Sequence, residues 1–110
     1  WLIVGAPGVN NESGCVYTFK TNEFGQFSQS QRLLSTFDNQ LPSFLGTSVA
    51  VFNLSMIAGA PLDTNDNSAE NATQVGAVYV YRLGSTWVQS KRVFAPEPAA
   101  TQNFGISVSI

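Results

Sequence analysis

Short apolar runs, each bounded by Gly, Pro, Asn or Ser, punctuate this chain from end to end. Leu2-Ile3-Val4 and Met56-Ile57-Ala58 are two of them, and Val75 to Tyr81 holds a third. The runs are rich in Val, Ile, Tyr, Phe and Thr, and no 3.6-residue apolar period is sustained, so the predicted elements are strands. They fall near 1–4, 14–20, 27–34, 46–52, 55–59, 75–82, 87–93 and 104–110, and the fold class is all-β, without a helix longer than about two turns. Along 75–82, Val78 and Val80 point to one face while Tyr79 and Tyr81 point to the other. Both faces are therefore largely apolar, and such a sheet has to be covered on both sides.

The pattern repeats. Gly5-Ala6-Pro7 recurs as Gly59-Ala60-Pro61, each after an apolar run. Gly14-Cys15-Val16-Tyr17-Thr18-Phe19-Lys20 recurs as Gly76-Ala77-Val78-Tyr79-Val80-Tyr81-Arg82. Phe27-Ser28-Gln29-Ser30-Gln31-Arg32-Leu33 matches Trp87-Val88-Gln89-Ser90-Lys91-Arg92-Val93. Leu45-Gly46-Thr47-Ser48-Val49-Ala50-Val51 matches Phe104-Gly105-Ile106-Ser107-Val108-Ser109-Ile110. Segments that recur in one order mark tandem repeats. Gly5 and Gly59 are read as ending a strand where the chain turns sharply, before a Pro that cannot donate to a ladder. Each such corner is structural first, since no phosphate-loop context follows it.

Phe104-Gly105-Ile106-Ser107-Val108, the Gly-Ala-Pro corner and Gly76-Ala77-Val78-Tyr79-Val80-Tyr81 together resemble the FG-GAP repeat, which builds the β-propeller of integrin α-subunits and of many secreted proteins. The resemblance covers nearly the whole chain. The second repeat is the better match, because the first has Leu45-Gly46 where the family has Phe-Gly. It implies four-stranded propeller blades in two tandem repeats cut out of phase with the blade. Residues 1–44 would hold the last three strands of one blade, 45–94 a complete blade, and 95–110 a linker and the first strand of another. The calcium loop that many integrin-type repeats carry is missing. Only Phe52-Asn53-Leu54-Ser55 lies between Val51 and Met56, a tight turn without carboxylates, and calcium takes six to eight oxygens. The chain is thus closer to the calcium-poor branch of the family.

Composition narrows the function classes. Charged residues make up 11% of the chain and the net charge is −2. The five basic residues, Lys20, Arg32, Arg82, Lys91 and Arg92, form no stripe, which argues against nucleic acid as a partner. The apolar runs are far too short for a helical membrane span. No signal peptide is visible, and the sequence opens on Trp1, as expected of a processed product or of part of something longer. Cys15 is the only cysteine, so an internal disulfide and a paired-cysteine zinc site are excluded, and it is read as a small buried hydrophobe. There is no histidine, which removes the commonest general base. No G-x-S-x-G is present, and no catalytic constellation emerges, so the chain is not read as an enzyme.

Three groups of residues are candidates for chemistry. In the long loop after the second Gly-Ala-Pro, Asp63, Asn65 and Asn67 alternate as calcium ligands do, with Asp66 and Glu70 nearby. The turn glycine and terminal bidentate acid are missing, so a solvated loop is the first reading and calcium the second. Asn11, Asn53 and Asn71 head N-x-S/T sequons, all in predicted loops, and at least one of them is expected to carry N-linked glycan if the source is eukaryotic. Trp1, Trp87, Phe27, Tyr17 and Tyr79 are aromatics at repeat-related positions, read as blade core before carbohydrate stacking.

The expected function is that of an extracellular or cell-surface structural module. Strand 1–4 (Trp1, Leu2, Ile3, Val4) has an open inner edge. Strand 104–110 (Phe104, Gly105, Ile106, Ser107, Val108, Ser109, Ile110) has no partner in its own blade. Neighbouring copies, or adjacent repeats of a longer chain, are expected to complete one another's blades in a ring or a filament. The alternative is an adhesin- or lectin-like module that recognises protein or glycan through its loops. Fold alone does not separate the two.

Overall fold

The computed structural model describes residues 1–9, 11–34, 42–63, 75–96 and 103–110. Among them there is no helix, and seven strands alternate with turns: β1 (Leu2–Ala6), β2 (Cys15–Thr21), β3 (Phe27–Leu34), β4 (Ser48–Phe52), β5 (Ser55–Ala60), β6 (Ala77–Leu83) and β7 (Trp87–Val93). They form two antiparallel sheets, one of three strands in the order β1-β2-β3 and one of four in the order β4-β5-β6-β7. Every neighbour in a sheet is also the neighbour in sequence.

The sequence repeat is a repeat of geometry. Leu2 to Ala6 pair with Phe19 to Cys15, and Met56 to Ala60 pair with Tyr81 to Ala77. The last strand of each sheet, β3 and β7, carries a β-bulge at the same place. The register jumps from Thr18↔Gln31 to Phe19↔Gln29 in the first sheet, and from Val80↔Lys91 to Tyr81↔Gln89 in the second. Ser30 and Ser90 are the inserted residues. β4 and β5 are joined by a two-residue turn in which Phe52 faces Ser55 and Asn53 takes a positive φ of 55°. Asn accepts that left-handed backbone more readily than most residues, which fits its place there.

One face of the first sheet packs on one face of the second. Tyr79, Tyr81 and Trp87 are buried in that layer with Met56, Ala58, Ala60, Ala77, Leu45 and Val16, and Ile3 and Leu33 close in from the first sheet. Each large side chain so buried contributes about 1.5–3 kcal/mol. The rings of Tyr79 and Tyr81 stack at 6.5 Å, and Trp87 meets Trp1 edge-on at 5.6 Å. The Gln31 amide fastens the layer at one side, accepting from Trp87 N at 2.6 Å and donating to Trp87 O at 3.0 Å.

Three expectations from sequence change. Residues 104–110 do not form a strand: Phe104 makes one isolated parallel bridge to Gly76. Their counterparts in β4 owe their ladder to the hairpin with β5, and no described strand lies beside 107–110. Gly5 and Gly59 do not end their strands, which run on to Ala6 and Ala60. Trp1 and Phe27 are not core, with 39% and 53% of their surface exposed, and Tyr17 is only half-buried. Trp87 is buried because Trp1 and Gln31 of the first sheet cover it, whereas no described sheet covers Phe27. The Cys15 reading holds: it is a free, fully buried thiol in β2.

Candidate functional site

Two kinds of place on this chain can do something specific: the joint where one repeat hands over to the next, and a buried charged network beside it. The joint occurs twice. Leu45 bridges Gly14 in parallel, and Leu45 N donates to Ser13 O at 3.1 Å. Phe104 bridges Gly76, and Phe104 N donates to Val75 O at 3.1 Å. Phe44 and Asn103, each just ahead of the joint, share a positive φ of 56° and 58°.

Glycine is required here by close approach. A Cβ on Gly5 would stand 1.9 Å from Gly46 O, and one on Gly59 would stand 1.8 Å from Gly105 O. Gly46 N in turn donates to Gly59 O at 2.9 Å, so the first joint is tied to the strand that carries the second. The Gly-Ala-Pro motif is thus a seat for the backbone of the next repeat's glycine as well as a corner, the turn starting at Pro7 and Pro61. Thr47 N donates to Phe44 O and Ile106 N to Asn103 O, each at 3.1 Å, so the first residue after Gly46 and after Gly105 is tied back in the same way.

Among the described residues the charged network belongs to the second repeat. Asp63 is buried, and its carboxylate accepts from Tyr79 Oη at 2.5 Å, Arg92 Nε at 3.1 Å and Arg92 Nη2 at 2.7 Å. The Asp63 and Arg92 side chains are 4% and 8% exposed. Tyr79 and Arg92 are cross-strand partners in β6 and β7, and the guanidinium lies 4.5 Å from the Phe94 ring. A planar guanidinium held between a ring and a two-point carboxylate contact is an arrangement that Arg favours. Asp63, named from sequence as a calcium candidate, therefore spends its oxygens on Arg92 and Tyr79. Asn65, Asn67 and Glu70, with Asp66, lie outside the described residues. Among the described residues no cluster of three metal-ligating side chains occurs.

Sequence reasoning missed this network. The signal was present in the match of Tyr79 and Arg92 to Tyr17 and Arg32, but the acid comes from a loop that the repeat does not conserve. It also missed buried polar atoms that, among the described residues, have no hydrogen-bond partner: Thr18 Oγ1, Tyr81 Oη and Trp87 Nε1. Burial, with a smaller contribution from Tyr79 beside it, pushes the Tyr81 phenol far above its ordinary range.

Of the other candidates, Asn11 and Asn53 are exposed in turns, with φ of 55° each, and Asn71 lies outside the described residues. Leu2, Ile3 and Val4 lie in β1, an edge strand of its sheet. Ile106, Ser107, Ser109 and Ile110 are exposed. No helix among the described residues is long and apolar enough to cross a membrane. No protein-family model matches the chain, and no curated protein matches it.

Proposed function

We propose that this chain is an extracellular structural module made of FG-GAP propeller blades, in which a neighbouring copy or an adjacent repeat completes the sheet that β1 leaves open. One observation carries the reading: both joints have the same contacts, so the segment after Gly105 starts out as β4 does after Gly46. Carrying the β4–β5 register over to the equivalent residues pairs Ser107 with Gly5 of the neighbour, Val108 with Val4, Ser109 with Ile3 and Ile110 with Leu2. Strand addition at an open edge supplies the ladder that 107–110 lacks. The module has no catalytic role, no cofactor and no nucleic-acid partner in this reading, and its exposed sequons at Asn11 and Asn53 suit a secreted, glycosylated surface.

Engineered cysteines test the register. Paired residues on neighbouring strands stand close enough for a disulfide to form. In a Cys15→Ala background, which copies the second repeat's Ala77, Val4→Cys and Val108→Cys are expected to give disulfide-linked multimers on oxidation. Linkage at a different register, or none alongside a monodisperse monomer in light scattering, would remove the assembly reading. A saturable hit on a glycan or protein array from such a monomer would replace it with the adhesin-like one.

A further inference from the structure

We propose that Tyr17 and Arg32 form an open carboxylate-binding niche, built to receive an acidic side chain from a partner polypeptide. The template is inside the molecule. Tyr17 and Arg32 are cross-strand partners in β2 and β3, as Tyr79 and Arg92 are in β6 and β7, and both pairs lie on the same side of the bulge. In the second sheet that pair grips a carboxylate, with Tyr79 Oη at 2.5 Å and the guanidinium at 2.7 and 3.1 Å.

In the first sheet the position of the acid is held by Val9. The correspondence is fixed by the backbone. Val9 N donates to Ala6 O at 3.3 Å and Val9 O accepts from Gly14 N at 2.9 Å, while Asp63 N donates to Ala60 O at 3.0 Å and Asp63 O accepts from Gly76 N at 3.0 Å. The same loop frame thus delivers a carboxylate in one repeat and an isopropyl group in the other. Among the described residues neither Arg32 nor the Tyr17 hydroxyl has a hydrogen-bond or ion-pair partner, and Arg32 is exposed.

The surroundings indicate a polypeptide. Tyr17 and Arg32 share their face with Leu2, Val4 and Leu34, which are 40%, 41% and 45% exposed. Their counterparts in the second sheet lie in the layer covered by the first. A partner that covers these side chains and presents one Asp or Glu toward Arg32 would satisfy both the apolar face and its central cation. A bidentate guanidinium contact with a phenol hydrogen bond suits a planar carboxylate, as Asp63 shows in the second repeat. This inference rests on the internal repeat of the structure and does not require the blades to assemble.

The test uses the full chain labelled with nitrogen-15 and follows the Arg32 Nε–Hε and Tyr17 amide resonances. The probes are the capped tripeptide N-acetyl-valyl-aspartyl-valine amide, its asparaginyl counterpart and sodium acetate. Saturable shifts with the aspartyl peptide are expected, with binding of the asparaginyl peptide and of acetate at least tenfold weaker. Arg32→Gln should abolish the response, and Val9→Asp should abolish it by supplying the acid internally while the Arg32 resonance moves to resemble that of Arg92. Arg32 Nε–Hε shifts that depend on protein concentration without peptide and that the aspartyl peptide competes away would support the niche and identify the partner as a second copy. Absence of saturable shifts, a response unchanged by Arg32→Gln, or acetate binding as tightly as the peptide would overturn the proposal. Val9→Asp and Arg32→Gln lie away from the β1 edge, so the cysteine cross-links of the assembly test are read independently.

Discussion

Replacing Asp63 by Asn should be among the most damaging single changes this chain can suffer. The substitution keeps the shape of the side chain and an oxygen for Tyr79 Oη, but removes the charge opposite Arg92. Both partners are more than nine-tenths buried, so solvent screening offers little relief. Breaking a buried ion pair from one side typically costs about 3–5 kcal/mol, because a cation is left without compensation. Taking roughly 2.1 cal/mol/K of unfolding entropy per residue over 110 residues, that loss lowers Tm by about 13–22 °C. Thermal melts followed by far-ultraviolet dichroism give the number directly. Arg92→Met alone should also destabilise, and the Asp63→Asn, Arg92→Met double variant should recover much of the loss, since with both charges removed no orphan charge is left. A fall of less than about 4 °C for Asp63→Asn, near 1 kcal/mol by the same conversion, would refute the reasoning. It would mean that the guanidinium reaches water or that the carboxylate is not its principal partner.

Gly59→Ala should destabilise by more than the usual range for a surface site, with loss of protection at Ile106 N in hydrogen exchange, because a methyl at 1.8 Å from Gly105 O forces the joint apart; unchanged protection and stability would contradict the close approach. Tyr81→Phe should leave stability equal or raise it by up to about 1–3 kcal/mol, since it deletes a buried hydroxyl without a partner and installs the residue the first repeat has at Phe19. The Tyr81 phenol is raised in the folded state, so its contribution is intact below pH about 10 and is lost as pH climbs above that value; alkaline denaturation monitored by dichroism should start later in Tyr81→Phe. Millimolar calcium should leave the melting temperature within a degree or so, because the turn at Asn53 has no carboxylate; a rise of many degrees would direct attention to the loop after Asp63 instead.

The strands were legible because each is short, β-branched or aromatic, and fenced by turn residues, and because every one matches a segment that recurs elsewhere in the chain. The two sheets follow from that order. The segment after Phe104 was misread for the same reason: its sequence is that of a strand, but a ladder needs a second strand alongside, and local sequence carries no information about who supplies it. The repeated glycines are identified from sequence, but the reason for Gly5 and Gly59 is not. A glycine tolerated for its backbone freedom and one demanded by a passing carbonyl look alike in sequence, and only the distance from Gly5 to Gly46 tells them apart. Asp63 was noticed for its neighbours in the chain, whereas its partners lie in β6 and β7, across a register that the bulge at Ser90 had displaced.

That bulge has a bearing on how the chain behaves in a crowded solution. An inserted residue in an edge strand twists it and interrupts the row of donors and acceptors that a foreign strand would need. Ser30 and Ser90 place the interruption on β3 and β7, the two strands that also carry Arg32, Lys91 and Arg92, while β1 pairs with β2 without a break and holds no charge between Leu2 and Ala6. The molecule is therefore guarded along one flank and receptive along the other. Any growth by backbone pairing has a direction, and disordered clumping through both flanks at once is discouraged.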